Sequence, residues 1–167
     1  MSKLLRYYVP GQTCFIANVT QNRIPILDGN YDLLLDSLYR YSRSLPFELI
    51  AYVLMPNHFH LLLSAPNTTP DKIMQKIKLS FSRRLNSRLG AVTGSVWQRR
   101  YWDHIIRDQD DFNKHFDYVH YNPVKHGYVD DPTKWKYSSF SRYLAEGIYS
   151  EGWGVVSRPR FSGDFGE

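Results

Sequence analysis

Apolar and polar positions recur in this chain with two periods, one near two residues and one near 3.6, and the period changes at Gly, Pro and Asn. Thr13 to Thr20 (Thr-Cys-Phe-Ile-Ala-Asn-Val-Thr) is rich in β-formers and predicts a first strand. Pro25 and Asp28-Gly29 mark a turn. Tyr31 to Ser44 then carries Leu34, Leu35, Leu38 and Tyr41 or Tyr39 at helical spacing. Phe47 to Met55 and His58 to Ser64 read as two strands, and the Pro56-Asn57 pair between them suits a tight antiparallel hairpin. Asp71 or Thr69 can cap a helix running to about Leu89, with Ile73, Ile77, Phe81, Leu85 and Leu89 spaced by four. Gly90 to Ser95 reads as a loop and Val96 to Arg107 as a fourth strand. A last helix starts at the carboxylate-rich Arg107-Asp-Gln-Asp-Asp111 and buries Phe112, Phe116 and Val119; Gly127 offers its exit.

The order βαββαβ plus a trailing helix predicts an α+β, ferredoxin-like antiparallel sheet with an additional helix. A length of 167 residues suits one domain, taken as residues 1–146. Residues 147–167, rich in Gly, Ser and Arg around Trp153 and without periodicity, read as an extended or partly ordered tail.

The densest chemistry lies in Asn57-His-Phe-His-Leu-Leu62. Strand alternation turns His58 and His60 to one face and Phe59 and Leu61 to the other. Two imidazoles so placed can converge on one metal ion or one phosphate, or form a hydrogen-bonded pair at a strand end. On the last helix Tyr118 and Asn122 lie one turn apart on a polar face shared with Asp111 and His115, a position that also fits an amphipathic surface tyrosine. Pro123 disfavours helical geometry at Asn122, which places that amide near a helix end and free to reach a site. Tyr121 sits roughly 60° around the helix from Tyr118 and has Lys125 four residues on. His115 and His120 either reach the same site or are solvated.

Charge adds a partner class. The net charge is +5 and the pI near 9.3, which favours an anionic partner. The predicted helix from Asp71 to Leu89 carries Lys72, Lys76, Lys78, Arg83, Arg84 and Arg88 against the single acid Asp71, an imbalance suited to phosphates. Gln98, Arg99 and Arg100, interleaved with Trp97, Tyr101 and Trp102, add donors and stacking surfaces for unpaired bases. As a strand, this stretch would send Trp97, Arg99 and Tyr101 to one face. The lone cysteine, Cys14, excludes an internal disulfide framework. No stretch reaches the roughly 20 apolar residues of a bilayer span, and the first residues lack the apolar core of a signal peptide. A cytoplasmic protein facing nucleic acid, with no membrane partner, is the expectation.

Three ordered motifs then coincide: Met55-Pro-Asn-His-Phe-His-Leu-Leu62, Trp97-Gln-Arg-Arg-Tyr-Trp-Asp-His-Ile-Ile-Arg-Asp108 and Tyr118-Val-His-Tyr-Asn-Pro-Val-Lys-His-Gly127. A His-hydrophobic-His strand followed by a helix with Tyr-x-x-x-Asn or Tyr-x-x-x-Gln resembles the single-strand tyrosine transposases of the HUH endonuclease superfamily. The flanking words resemble their REP-associated tyrosine transposase branch, over roughly residues 8–145. The resemblance implies the ferredoxin-like fold and a reaction in which Tyr118 attacks single-stranded DNA, forms a 5′-phosphotyrosine bond and frees a 3′-hydroxyl. It implies a divalent metal, Mg²⁺ or Mn²⁺, on His58, His60 and Asn122, where related insertion-sequence enzymes more often have glutamine. It implies strand transfer at REP-type hairpins; the cations singled out by charge, Lys72, Lys76, Lys78, Arg83, Arg84, Arg88, Arg99 and Arg100, are the expected DNA-contacting set, of a monomer or homodimer acting at the nucleoid. The competing expectations are a DNA- or RNA-hairpin-binding protein that kept the fold without the chemistry, and a metal hydrolase that uses water.

Overall fold

A computed structural model describes residues 11–90 and 94–167 of the chain. The start of the first domain and the middle of the predicted Gly90–Ser95 loop lie outside the described residues. The elements are β1 (Thr13–Val19), α1 (Tyr31–Ser44), β2 (Glu48–Met55), β3 (His58–Ser64), α2 (Pro70–Leu89), β4 (Trp102–Ile105), α3 (Gln109–Lys125) and α4 (Phe140–Ala145). Single 3-10 turns occur at Gln21–Arg23 and Pro132–Lys134.

The sheet order is β2-β3-β1-β4 and every pairing is antiparallel, the ferredoxin-like arrangement. Strand alternation gives it two buried faces. Ile16, Leu54, Phe59, Leu61 and Leu63 pack with Leu34 and Leu38 of α1 and with Ile73, Ile77, Phe81 and Leu85 of α2. Phe15, Ala17, Val53, Met55 and Leu62 pack with Phe116, Tyr118 and Val119 of α3, Phe140 of α4, and Tyr149 and Phe165 of the segment that follows. Among the described residues no helix is long and apolar enough to cross a membrane.

Three local expectations need correction. The fourth strand is four residues long, not the span Val96–Arg107. Trp97 makes only an isolated bridge to Thr20, and its indole turns into the α1/α2 layer between Phe59 and Phe81, donating Nε1–H to Lys78 O at 3.3 Å. After the bonds that flank this bridge, Gln21 N to Val96 O and Gln98 N to Val19 O, the chain rejoins the ladder only at Trp102, so strand alternation does not apply to Arg99 and Tyr101. Leu89, the last residue of α2, is exposed rather than part of its buried stripe. Helix α3 continues through Pro123 to Lys125. Pro123 removes one backbone donor, but its carbonyl and that of Asn122 are taken up by Tyr128 N and His126 N, each at 3.0 Å. Gly127 at φ 73° then ends the helix, as its position predicts.

The cations of α2 divide by their neighbours. Thr69 caps the helix, its side chain accepting from Lys72 N. Arg84 pairs with Asp36, and Arg88 with Asp32 and Asn30, so these two arginines tie α2 to α1. Lys78 is half-buried and donates to Gln98 O at 3.1 Å. Lys72, Lys76 and Arg83 are exposed.

Candidate active site

Register places the histidines. On β3, His60 faces Ala17 of β1 and Val53 of β2, and His58 faces Val19 and Met55, so both imidazoles project toward α3. Helical spacing turns Tyr118 and Asn122 toward the same place. His58 Nε2 lies 3.2 Å from Asn122 Oδ1, and the His60 ring meets the Tyr118 ring edge-on at 5.4 Å between centroids. The four side chains expected to share a site therefore converge.

They are not open to solvent. Relative exposures are 4% for His58, 1% for Tyr118 and zero for His60 and Asn122, so the site is covered. The cover is the segment 161–167. Phe165 stacks on Tyr118 with centroids 3.8 Å apart and planes within 7°, and Phe161 meets the same ring edge-on at 5.2 Å. Gly166, at φ 76°, lies so close to Trp102 that a Cβ would come within 2.6 Å of its side-chain carbons, so only glycine lets the chain pass there. Beyond it Glu167 enters the site. Its Oε1 accepts from His60 Nε2 at 2.8 Å and from Asn122 Nδ2 at 2.6 Å; its Oε2 meets Lys125 Nζ at 2.7 Å and His126 Nε2 at 2.9 Å. The Asn122 amide, expected to be free to reach a site, does reach it and is tied there to Glu167 through Nδ2.

Lys125 also donates to the Tyr118 hydroxyl at 2.8 Å and lies 4.9 Å from the ring centroid. Seven residues are two helical turns, which puts Lys125 over Tyr118. Tyr121, which the spacing had matched with Lys125, instead lies half-buried against Trp153 and Phe161.

Burial sets the electrostatics. Desolvation, with the Glu167 carboxylate second, holds the Tyr118 phenol far above its ordinary pKa, so the covered tyrosine stays protonated. Desolvation lowers the His60 pKa to about 4 despite the Glu167 carboxylate beside it. The His60–Glu167 contact is therefore a neutral N–H donating to a carboxylate, not an ion pair. Burial pushes the Glu167 carboxyl up, but its contacts with His126, His58 and His60 outweigh it and hold the group well below the usual range.

The remaining histidines of α3 are not solvated. His115 is buried one turn from Tyr118, beside Phe15 and Phe165, with Nδ1 2.8 Å from Asp111 O. Asp111 in turn accepts from Arg107 Nε at 3.0 Å and lies 2.7 Å from His104 Nε2. His120 points away from the site, with Nδ1 2.9 Å from Tyr149 Oη and Nε2 2.7 Å from Ser139 Oγ. Tyr149 also donates to Asp117 at 2.9 Å, which fastens the root of the C-terminal segment to α3.

The donor set fits a divalent ion. Asn57 Oδ1 lies 2.7 Å from His58 Nδ1, the outer contact that turns a ligating Nε2 inward. His58, Asn122 and His60 then bring two imidazoles and an amide oxygen together, His60 offering Nε2 when its proton sits instead on Nδ1, which is buried without a partner. Sequence reasoning missed Phe161, Phe165, Glu167 and the contacts of Lys125 and His126. The available signal was the Phe-x-x-x-Phe-Gly-Glu run, two aromatics and an acid in an otherwise Gly- and Ser-rich stretch.

Known proteins resemble the chain over nearly its whole length. The profile of the family described as "Transposase IS200 like" covers residues 11–122. A REP-associated tyrosine transposase of Escherichia coli K12 is 34% identical over 156 residues, spanning 92% of this chain and 91% of its own. A Haemophilus influenzae protein provisionally given the same name is 35% identical over 175 residues, 98% of this chain and 99% of its own. A solved REP-associated tyrosine transposase bound to a REP hairpin superposes with a TM-score of 0.85 at 33% identity, covering 100% of this chain and 98% of that one.

Proposed function

The chain belongs to the IS200-like transposase family, in its REP-associated tyrosine branch, and on that premise we propose that it cleaves and rejoins single-stranded DNA at REP-type hairpins with Tyr118 as nucleophile. The observation that carries this reading is the convergence of Tyr118 from α3 with His58 and His60 from β3 and Asn122 one helical turn on. Attack by the Tyr118 oxygen forms an oxygen–phosphorus bond, breaks the bond from phosphorus to the 3′ oxygen, and leaves a 5′-phosphotyrosine with a free 3′-hydroxyl. Lys125, already on the phenol oxygen, stabilises the phenolate that this step needs. Attack by a 3′-hydroxyl on the phosphotyrosine reverses the step and rejoins strands without a nucleotide cofactor. His58, His60 and Asn122 would hold a divalent ion, Mg²⁺ or Mn²⁺, whose charge polarises the scissile phosphate.

The hairpin bound to the solved relative supports hairpin DNA as the partner. Lys72, Lys76 and Arg83 are the exposed cations of α2 suited to its phosphates, joined by Arg99 and Arg100; Lys78, Arg84 and Arg88 contribute only the donors left beyond their existing contacts. We assign catalysis to residues 1–146 and the covering of the site to 147–167, in a cytoplasmic protein acting on nucleoid DNA. The test is incubation with single-stranded palindromic oligonucleotides and Mn²⁺, followed by a denaturing gel. A covalent adduct lost in Tyr118→Phe supports the reading. The covered Tyr118 favours one alternative, a hairpin-binding protein without chemistry; hairpin binding with no adduct under any divalent ion would establish it.

A further inference from the structure

Two acceptors face each other at the centre of the site. With Nδ1–H directed to Asn57 Oδ1, His58 presents the lone pair of Nε2, which looks onto Asn122 Oδ1 at 3.2 Å. Glu167 Oε1 lies 3.7 Å from the same nitrogen and 2.8 Å from His60 Nε2. Neighbouring ligands of an octahedral divalent ion with bonds near 2.1 Å are about 3 Å apart. Separations of 2.8, 3.2 and 3.7 Å bracket that spacing, and the histidine and Glu167 donor atoms all lie within 4.8 Å of one another, on separate parts of the chain.

The second carboxylate oxygen strengthens the case. Oε2 is anchored by Lys125 Nζ and His126 Nε2, the kind of outer contact that orients a ligating carboxylate. Gly166 and the stacked Phe165 set the backbone that delivers Glu167, and its side chain is only 14% exposed. We infer that Glu167 is a fourth protein ligand of the divalent ion, supplied by the C-terminal segment, and that it fills the coordination position a scissile phosphate oxygen takes during cleavage. The inference rests on the metal-site reading above. Phosphate and carboxylate offer the ion the same hard oxygen, so exchange at this position needs no other ligand to move.

Mn²⁺ binding to the full chain, followed by electron paramagnetic resonance without DNA, tests the assignment apart from activity. Glu167→Gln keeps the side chain's size and removes its charge; its Mn²⁺ dissociation constant should rise tenfold or more. Glu167→Asp, too short to span from the Gly166 backbone, should fall between the two. Phe165→Ala, which touches no ligand, should weaken Mn²⁺ by releasing the segment. In a Tyr118→Phe background, an uncleaved oligonucleotide should add phosphorus coupling to the Mn²⁺ spectrum at lower DNA concentration when Glu167 is Gln. Unchanged Mn²⁺ affinity in Glu167→Gln, alongside lost affinity in His58→Ala, overturns the role of Glu167 and leaves the histidine site standing. No Mn²⁺ binding in the unaltered protein overturns both.

Discussion

Replacing Phe165 with Ala should accelerate cleavage. The ring is 94% buried, stacks on Tyr118 at 3.8 Å and also touches Phe15 and His115. Burial of a phenylalanine side chain contributes about 2 kcal/mol and an offset aromatic pair about 1 kcal/mol more. Losing both weakens docking of the segment by about 3 kcal/mol, and at roughly 1.4 kcal/mol per decade this raises the uncovered population about a hundredfold. Tyr118 can meet a phosphate only when uncovered. The single-turnover rate of adduct formation, measured at saturating Mn²⁺, should therefore rise by a factor approaching 100 until the chemical step limits it. The fold should be little affected, because Phe165 lies at the rim of the second core cluster while Phe15, Leu62 and Val119 remain in place. An unchanged or slower rate, with an unchanged melting temperature, would show that the segment does not govern access and that DNA enters by another path.

Tyr118→Phe should abolish adduct formation while costing about 1 kcal/mol of stability, since it removes one hydrogen bond from Lys125 and keeps the ring; retained activity there, with loss in Tyr121→Phe, would move the nucleophile. Reversing the charge of Lys72, Lys76 and Arg83 together should lower the slope of log affinity against log salt by about two, at roughly 0.7 per phosphate contact; equal slopes would place the DNA elsewhere. Reversing Arg84 and Arg88 should instead loosen α1 from α2, detected as a lower melting temperature, because their partners are Asp36 and Asp32. Burial lowers the His120 pKa from 6.5 to about 3. The unfolded chain therefore binds the extra proton first, so this stabilisation is complete above about pH 6.5 and declines as the pH falls toward 3. Urea melts should show a flatter pH dependence for His120→Gln over that window, and parallel curves would refute the assignment.

The parts of the site that follow a strict period were legible in the sequence. His58 and His60 share a face because strand alternation allows nothing else, and Tyr118 and Asn122 lie one helical turn apart. The hairpin at Pro56-Asn57, the Thr69 cap and the Gly127 exit likewise depend on adjacent residues. Trp97 shows where local reading ends. Its neighbours look like strand, yet a large indole that fits between Phe59 and Phe81 outweighs a few ladder bonds. Glu167 was further out of reach, because it meets His60 across 107 positions from a segment without periodicity. His115 and His120 looked like surface residues in a helix that, once folded, is packed on two sides.

The C-terminal segment is fastened at Tyr149 and returns to the candidate site at Glu167, so about eighteen residues of chain hold a carboxylate there. A short tether holds such a group at an effective concentration in the millimolar range or above. A DNA strand arriving from bulk solution at nanomolar or micromolar levels is outnumbered locally by a carboxylate that never diffuses away. A strand already held through a neighbouring hairpin is itself tethered and competes on equal terms. Such a protein would respond to how DNA is attached more than to how much is present, and substitutions in a few residues that carry little of the fold could reset that threshold.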